Sequence, residues 1–298
     1  MIAINKESYT DIPFDLPKSF PPQKQDLQPG SQQQMYPKPI TDNPNYVGSG
    51  KLKNKVAIIT GGDSGIGQAV AAAFAKEGCD MVIPYYSEDE DAAETLKIVE
   101  SYGQCCILFK CDLKDENASV LTVNKAISEL GHIDIVVNNI AVQYPKASLS
   151  EISSQQLENT FQTNVLSYFH MTKAALPHLK SGASIINTTS VTAYKGSPYL
   201  IDYSATKGAI VSFTRSLALA LAKDKIRVNA VAPGPVWTPL ITATSDENQV
   251  QTFGQNVPLG RAAQPFELAP TYVYLASDDS AYVTGQVLHV NGGEIVDS

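Results

Sequence analysis

From residue 51 onward, short β-branched runs alternate with longer stretches in which apolar positions recur at helical spacing. Lys55-Val-Ala-Ile-Ile-Thr60 is almost wholly apolar and runs into glycines, the pattern of a strand buried on both faces. Residues 68–77 are rich in alanine and predict a helix, closed by Gly78 at the position of a left-handed cap. The same reading puts further strands at 80–85, 105–111, 133–137, 183–187, 227–231 and 286–290. Helices are expected over 90–101, 116–130, 154–178, 203–222 and 266–276. Strands that alternate with helices need crossover connections. They therefore imply a parallel sheet covered on both faces, a single doubly wound α/β domain over residues 51–298 with seven strands.

Residues 1–50 follow neither period. Eight of the 18 prolines fall here, with a glutamine run at Gln32, Gln33 and Gln34. Proline at this density removes hydrogen-bond donors and favours extended backbone. The stretch is either a flexible tail or an extended arm lying on its own domain or on a neighbouring subunit. Phe14, Leu16, Phe20, Leu27, Met35, Tyr36 and Tyr46 favour the arm, because a purely solvating tail carries fewer such residues. The first ten residues lack the basic and apolar regions of a secretory signal and the arginine-rich character of a transit peptide.

Charge narrows the partners. With 22 basic against 30 acidic residues the net charge is −8, which argues against nucleic acid as a ligand. No run of 18 apolar residues predicts a membrane span. The four cysteines form no C-x-x-C pair, and adjacent Cys105 and Cys106 point to opposite faces of a strand. The four histidines are scattered. No metal site is expected, and buried free thiols suit a reducing cytoplasm.

Two clusters carry chemistry. Thr60-Gly-Gly-Asp-Ser-Gly-Ile-Gly67 joins the first strand to the first helix. Glycines there permit a tight turn and let backbone N–H groups approach a pyrophosphate, which a helix N-terminus also attracts. Tyr203-Ser-Ala-Thr-Lys207 sets a phenol and an ammonium one turn apart on one helix face. A nearby lysine favours phenolate, so Tyr203 is expected to exchange a proton near neutral pH. Ser190, 13 residues upstream at the end of the fifth strand, is placed to bond a substrate carbonyl.

Together these motifs resemble the short-chain dehydrogenase/reductase family, over about residues 51–295 and in the family's order. The resemblance implies a Rossmann-type fold and hydride transfer between a nicotinamide cofactor and a small alcohol or carbonyl substrate. Ser190, Tyr203 and Lys207 match the catalytic positions, and Asn164 matches the asparagine that extends the proton relay. Cofactor contacts are implied for Gly61, Asp63, Ser64, Gly65, Ile66 and Gly67 in the loop. After the second and third strands they fall to Tyr85, Tyr86, Asp112 and Leu113. After the fourth strand they fall to Asn139, Ile140 and Ala141, the last two standing where the family usually has alanine and glycine. Pro233-Gly-Pro-Val-Trp-Thr238 supplies Pro233, Gly234, Val236 and Thr238, while Tyr203 and Lys207 also reach the cofactor. More narrowly, Gly62-Asp63 and the glutamine- and proline-rich arm resemble a bacterial subgroup of general stress proteins. Family members are usually dimers or tetramers, so a homo-oligomer is expected. The apolar positions Phe213, Leu217, Ala218 and Leu221 fit a partner helix or an internal core.

The 2′ end of the cofactor is argued physically. Ser64 stands where a basic residue would meet a 2′-phosphate, and Tyr85-Tyr-Ser-Glu-Asp89 brings no positive charge. Glu88 lies near the distance expected of a carboxylate on a ribose hydroxyl. NAD is therefore favoured over NADP. Residues 240–258 have no strong period and are expected to form a mobile lid, with Trp237 and Tyr144 either lining the pocket or simply packing. The alternative to an enzyme is a non-catalytic dinucleotide-binding or interaction protein on the same fold.

Overall fold

The computed structural model describes residues 16–296; Pro13 and Phe14, counted above with the arm, lie outside them. Seven parallel strands form one sheet: β1 (Val56–Ile59), β2 (Asp80–Tyr85), β3 (Cys106–Lys110), β4 (Ile135–Asn138), β5 (Ser184–Thr188), β6 (Arg227–Pro233) and β7 (Val287–Val290). Their order is β3-β2-β1-β4-β5-β6-β7. On β1, Ile58 pairs with Val82 on one side and Val136 on the other. The winding direction reverses between β1 and β4, which opens a crevice at the C-terminal ends of those two strands.

Helices α1 (Gly65–Lys76), α2 (Asp89–Ser101) and α10 (Ala269–Ala276) cover one face of the sheet. The other is covered by α3 (Glu116–Leu130), α5 (Ser167–Ala175) and α7 (Ile201–Leu221). Apolar residues of alternate parity on each strand feed the two layers. Ala57 and Ile59 pack towards Phe74 and Tyr272, and Ile58 towards Met171 and Val123. Ala218 and Leu221 of α7 belong to the second layer, whereas Phe213 is partly exposed beside Phe169.

The long helix expected over 154–178 is divided. It runs as α4 (Ser154–Phe161), a π-helical turn (Gln162–Leu166), α5, and a final 3₁₀ turn (Leu176–His178). The π turn carries the fully buried Asn164, and such turns are often found at functional sites. The thiols depart from expectation in one respect. Cys79 and Cys106 are buried, but Cys111 is half-buried and Cys105 exposed, because β3 is an edge strand and successive residues face opposite ways.

Residues 16–50 lie across their own domain. Phe20 and Met35 are buried with Trp237, Val250 and Ala262 in a third, small apolar cluster. The Phe20 and Trp237 rings stack with centroids 3.7 Å apart. Farther along, Tyr46 reaches Glu77 at the end of α1, and the Ser49 and Lys51 N–H groups donate to the same carboxylate at 2.9 and 2.8 Å.

Candidate functional site

A cleft of about 850 Å³ opens along the C-terminal edge of the sheet, where β1 and β4 diverge. Gly61, Asp63, Ser64, Gly65 and Ile66 line one wall. The loop's shape follows from its glycines. A side chain at Gly67 would bring Cβ within 2.0 Å of the Gly61 carbonyl oxygen, so only glycine lets α1 start this close beneath the turn. Gly65 has φ +51°, and a Cβ there would meet Thr238 Cγ2 at 3.1 Å. First-turn N–H groups of a helix have no acceptor within the helix. That of Ile66, which lines the cleft, is therefore a donor at the mouth of the crevice, suited to an anion.

Tyr85, Tyr86, Asp112, Leu113, Asn139, Ile140 and Ala141 also line the cleft, as do Pro233, Gly234, Val236 and Thr238. Thr60 holds the two sides of the crevice together, its hydroxyl accepting from Asn139 N at 2.8 Å. Two expected residues stand behind the wall. Gly67 acts through its missing side chain, and Asn164 is turned inward, accepting from Val142 N at 2.8 Å and donating to Val142 O at 2.9 Å and Thr206 Oγ1 at 3.2 Å.

Ser190, Tyr203 and Lys207 converge at the far end. Ser190 stands two residues past β5; Tyr203 and Lys207 come from the first turns of α7. Lys207 is fully buried, its Nζ donating to Thr188 O at 2.9 Å and lying 5.5 Å from the Tyr203 ring centre. Tyr168, which sequence reasoning missed, donates to Ile140 O at 3.1 Å and Thr188 O at 3.2 Å, locking the floor beneath Lys207.

The electrostatics differ from the simple tyrosine–lysine expectation. Burial pushes Tyr203 up to about 12, with the Ser190 hydrogen bond pulling the other way. Burial also pushes Lys207 down to about 7. Desolvation of both groups outweighs their mutual support, and the phenol is held protonated, as a proton donor. In the glycine loop, burial lifts the Asp63 carboxyl to about 7, and the nearby Glu88 and Asp91 carboxylates add to the rise.

Several wall residues carried no sequence signal. Gln28 and Pro29 of the arm line the cleft, as does Lys114, whose Nζ lies 3.5 Å from Asp112 Oδ2. The stretch expected to form a lid carries helices α8 (Pro239–Thr242) and α9 (Glu247–Gln251), and α9 opens with a capping box between Asp246 and Gln249. Trp237 is fully buried beneath Phe20 with its indole N–H on Pro37 O at 2.9 Å, so it packs and does not line the cleft. Tyr144 does line it. Among the described residues no helix is long and apolar enough to cross a membrane.

A family model described as enoyl-(acyl carrier protein) reductase matches residues 61–294. The chain belongs to the short-chain dehydrogenase/reductase family, a family of oxidoreductases. Among its relatives, the uncharacterized oxidoreductase YhdF of Bacillus subtilis is 58% identical, covering 92% of this chain and 95% of that protein. General stress protein 39 of the same organism is 55% identical over 94% and 98%. Glucose and ribitol dehydrogenase of Daucus carota is 49% identical over 93% and 97%. A short-chain dehydrogenase from Burkholderia cenocepacia J2315, solved in complex with NADP, superimposes with a TM-score of 0.77 at 27% identity, covering 82% of this chain and 98% of that one. Another, from Mycobacterium paratuberculosis and bound to NAD, gives 0.74 at 29% identity over 82% and 98%.

Proposed function

We propose that the protein moves a hydride between a nicotinamide dinucleotide and a small polar alcohol or carbonyl compound. One observation carries the reading: a single cleft has an anion-suited glycine loop at one end and Ser190, Tyr203 and Lys207 at the other. The glycine cradle and the free Ile66 N–H fit a dinucleotide pyrophosphate. When bound, the nicotinamide supplies the hydride acceptor or donor.

The chain's own residues do the rest. Ser190 Oγ holds the substrate oxygen, and Tyr203 Oη passes a proton to it as negative charge develops there. Lys207, fixed by Thr188 O, sets a positive charge behind the phenol when protonated. Asn164, linked to Thr206 and Val142, extends the proton path. Burial of Tyr203 favours its neutral form, the form that carbonyl reduction consumes. The lid presents Ser245, Gln249, Thr252 and Asn256 to the cleft, which supports a sugar- or polyol-like substrate, in keeping with the name of the carrot relative.

The loop end of the cleft carries Glu88, which supports NAD over NADP through repulsion of a 2′-phosphate. Residues 51–298 make the catalytic domain and residues 1–50 its arm. Four free thiols suit a cytoplasmic setting. The exposed side of α5 and α7, with Phe169, Phe213 and Leu219, supports a homo-oligomer.

The test is a panel of alcohols and carbonyls with NAD(H) and NADP(H), run beside Tyr203→Phe. Turnover should fall about 10²–10⁴-fold in the variant with folding intact. Full activity of Tyr203→Phe overturns the proton-donor assignment, and a tenfold preference in kcat/KM for NADPH overturns the preference for NAD.

A further inference from the structure

The arm does more than cover the domain, because one of its side chains reaches the back of the glycine loop. Gln32 is buried, and its Oε1 accepts from Gly65 N, the first N–H of α1, at 2.9 Å. Helix α1 has no cap from Ser64, the residue in the capping position. An arm residue 33 positions upstream takes over that part.

Gln32 has little freedom to do anything else. Its Nε2 donates to Gln68 Oε1 at 2.6 Å, and its backbone N–H donates to Asp91 Oδ2 at 2.7 Å. Gln68 is oriented in turn, its Nε2 donating to the Asp63 carbonyl at 3.1 Å and Thr95 Oγ1 at 2.8 Å. Its Oε1 also accepts from Thr41 Oγ1, a second arm residue, at 2.7 Å. Turning Gln68 over would set its oxygen against the Asp63 carbonyl, so the Asp63 carbonyl dictates the orientation of Gln68. Gln68 then dictates that of Gln32, leaving the Gln32 oxygen for Gly65. The loop from Asp63 to Gly65 is thereby held from behind, with its carbonyl and N–H satisfied, while Ile66 keeps its N–H group for the cleft.

We propose that Gln32 is a positioning residue of the dinucleotide-binding loop, which makes the arm a working part of the cofactor site. This rests on the dinucleotide reading above. Gln32 touches neither cofactor nor substrate; it fixes the backbone that does. Its loss leaves the Gly65 N–H buried without a partner and frees the loop to shift, which weakens dinucleotide binding and leaves the proton-transfer residues in place.

The test compares wild type with Gln32→Met, which keeps the side chain's length and volume while removing both of its hydrogen bonds. Tyr46→Phe loosens the arm at the far end of α1 and serves as the control. Binding of NADH and NADPH is measured by calorimetry, melting temperature by circular dichroism, and KM and kcat by assay. Gln32→Met is expected to weaken dinucleotide binding about tenfold, with kcat at saturation within about twofold of wild type, while Tyr46→Phe leaves affinity unchanged. Should Gln32→Met not fold, Asp91→Asn keeps only one of the two carboxylate oxygens that accept from Gln32 N and Gln33 N, and should weaken binding about threefold. Unchanged affinity in Gln32→Met, or an equal loss in Tyr46→Phe, overturns the proposal. Failure of the wild type to bind either dinucleotide overturns the dinucleotide reading itself, and this inference with it.

Discussion

The sheet-built end of the cleft and its arm-covered end are held by different forces. Around Ser190, Tyr203 and Lys207 the scaffold is apolar, with Ile185, Ile186, Val228 and Val231 fully buried in two layers. Among the described residues the arm packs on this side through a small cluster of five buried apolar residues. The rest of that contact is made by carboxamides and backbone. Gln28 exchanges two 3.0 Å hydrogen bonds with the Gln143 backbone, Gln25 N donates to Thr242 O at 2.8 Å, and Gln143 Nε2 donates to Thr244 Oγ1 at 2.8 Å. An apolar layer gains from burial in proportion to area and tolerates rearrangement, whereas a hydrogen-bonded seam depends on every partner. The side chains proposed for proton transfer thus stand on the apolar part, and the arm-side wall of the cleft on the part held by hydrogen bonds.

Three changes would break or sharpen that contrast. The largest effect is expected from Lys207→Met at the sheet-built end. Removing the buried cation should lower kcat/KM for carbonyl reduction about 10²–10⁴-fold while the melting temperature holds or rises, since a desolvated charge is lost. In the wild type, Lys207 keeps its proton below about 7. Reduction should therefore decline as pH rises through that value and lose this limb in Lys207→Met. A rate profile that is flat from pH 6 to 9 in both proteins would count against the role given to the lysine.

Next comes Phe20→Ala, at the arm. Losing a buried ring stacked on Trp237 should cost about 3 kcal/mol. The loss should be concentrated in the arm and lid, read as faster amide exchange in residues 16–42 and 239–256 than in β4 or β5. Uniform acceleration across the sheet would show that the two regions unfold as one unit.

The smallest effect is expected from Asp63→Asn, at the junction of the two regions. The folded-state pKa of Asp63 is raised from the carboxylate range to about 7. Folding thus favours the protonated acid, and its stabilising contribution is complete below about pH 4 and lost as pH rises through about 7. Asn should therefore raise stability above pH 7 and make little difference near pH 4. Urea unfolding at pH 4.5 and 8.5 checks this, and equal stabilities of the two proteins at pH 8.5 would refute it.

Much of this was legible along the chain. Helix α3 spans residues 116–130 as its period predicts, and β2 spans 80–85. Strand ends and glycine spacing located the loop, and Tyr203 and Lys207 meet at one end of the cleft because four residues make about one helical turn. Other features depended on distant contacts. Asn164 sits in a π turn that a period cannot reveal, and its partner Val142 is 22 residues away. The chain alone left Trp237 either lining the pocket or packing, and the Phe20 ring stacked on it decides for packing. Lys114 reaches the cleft from the loop after β3, away from Ser64 and residues 85–89 along the chain.

By itself the sequence determined the alternation of strands and helices, the glycine loop, and the order in which serine, tyrosine and lysine occur. These are short-range matters, written in periods of two and 3.6 residues and in the backbone angles only glycine adopts. Only the tertiary structure decided what residues 16–50 do, because a glutamine's hydrogen bonds leave no periodic trace. Gln32 finds Asp91 across 59 positions and Gly65 across 33. Those pairings exist only once β1, α1 and α2 have packed and left between them a buried polar gap of the right shape. The same packing set the protonation of Tyr203 and Lys207, since desolvation depends on which atoms surround a group, whatever its neighbours in the chain.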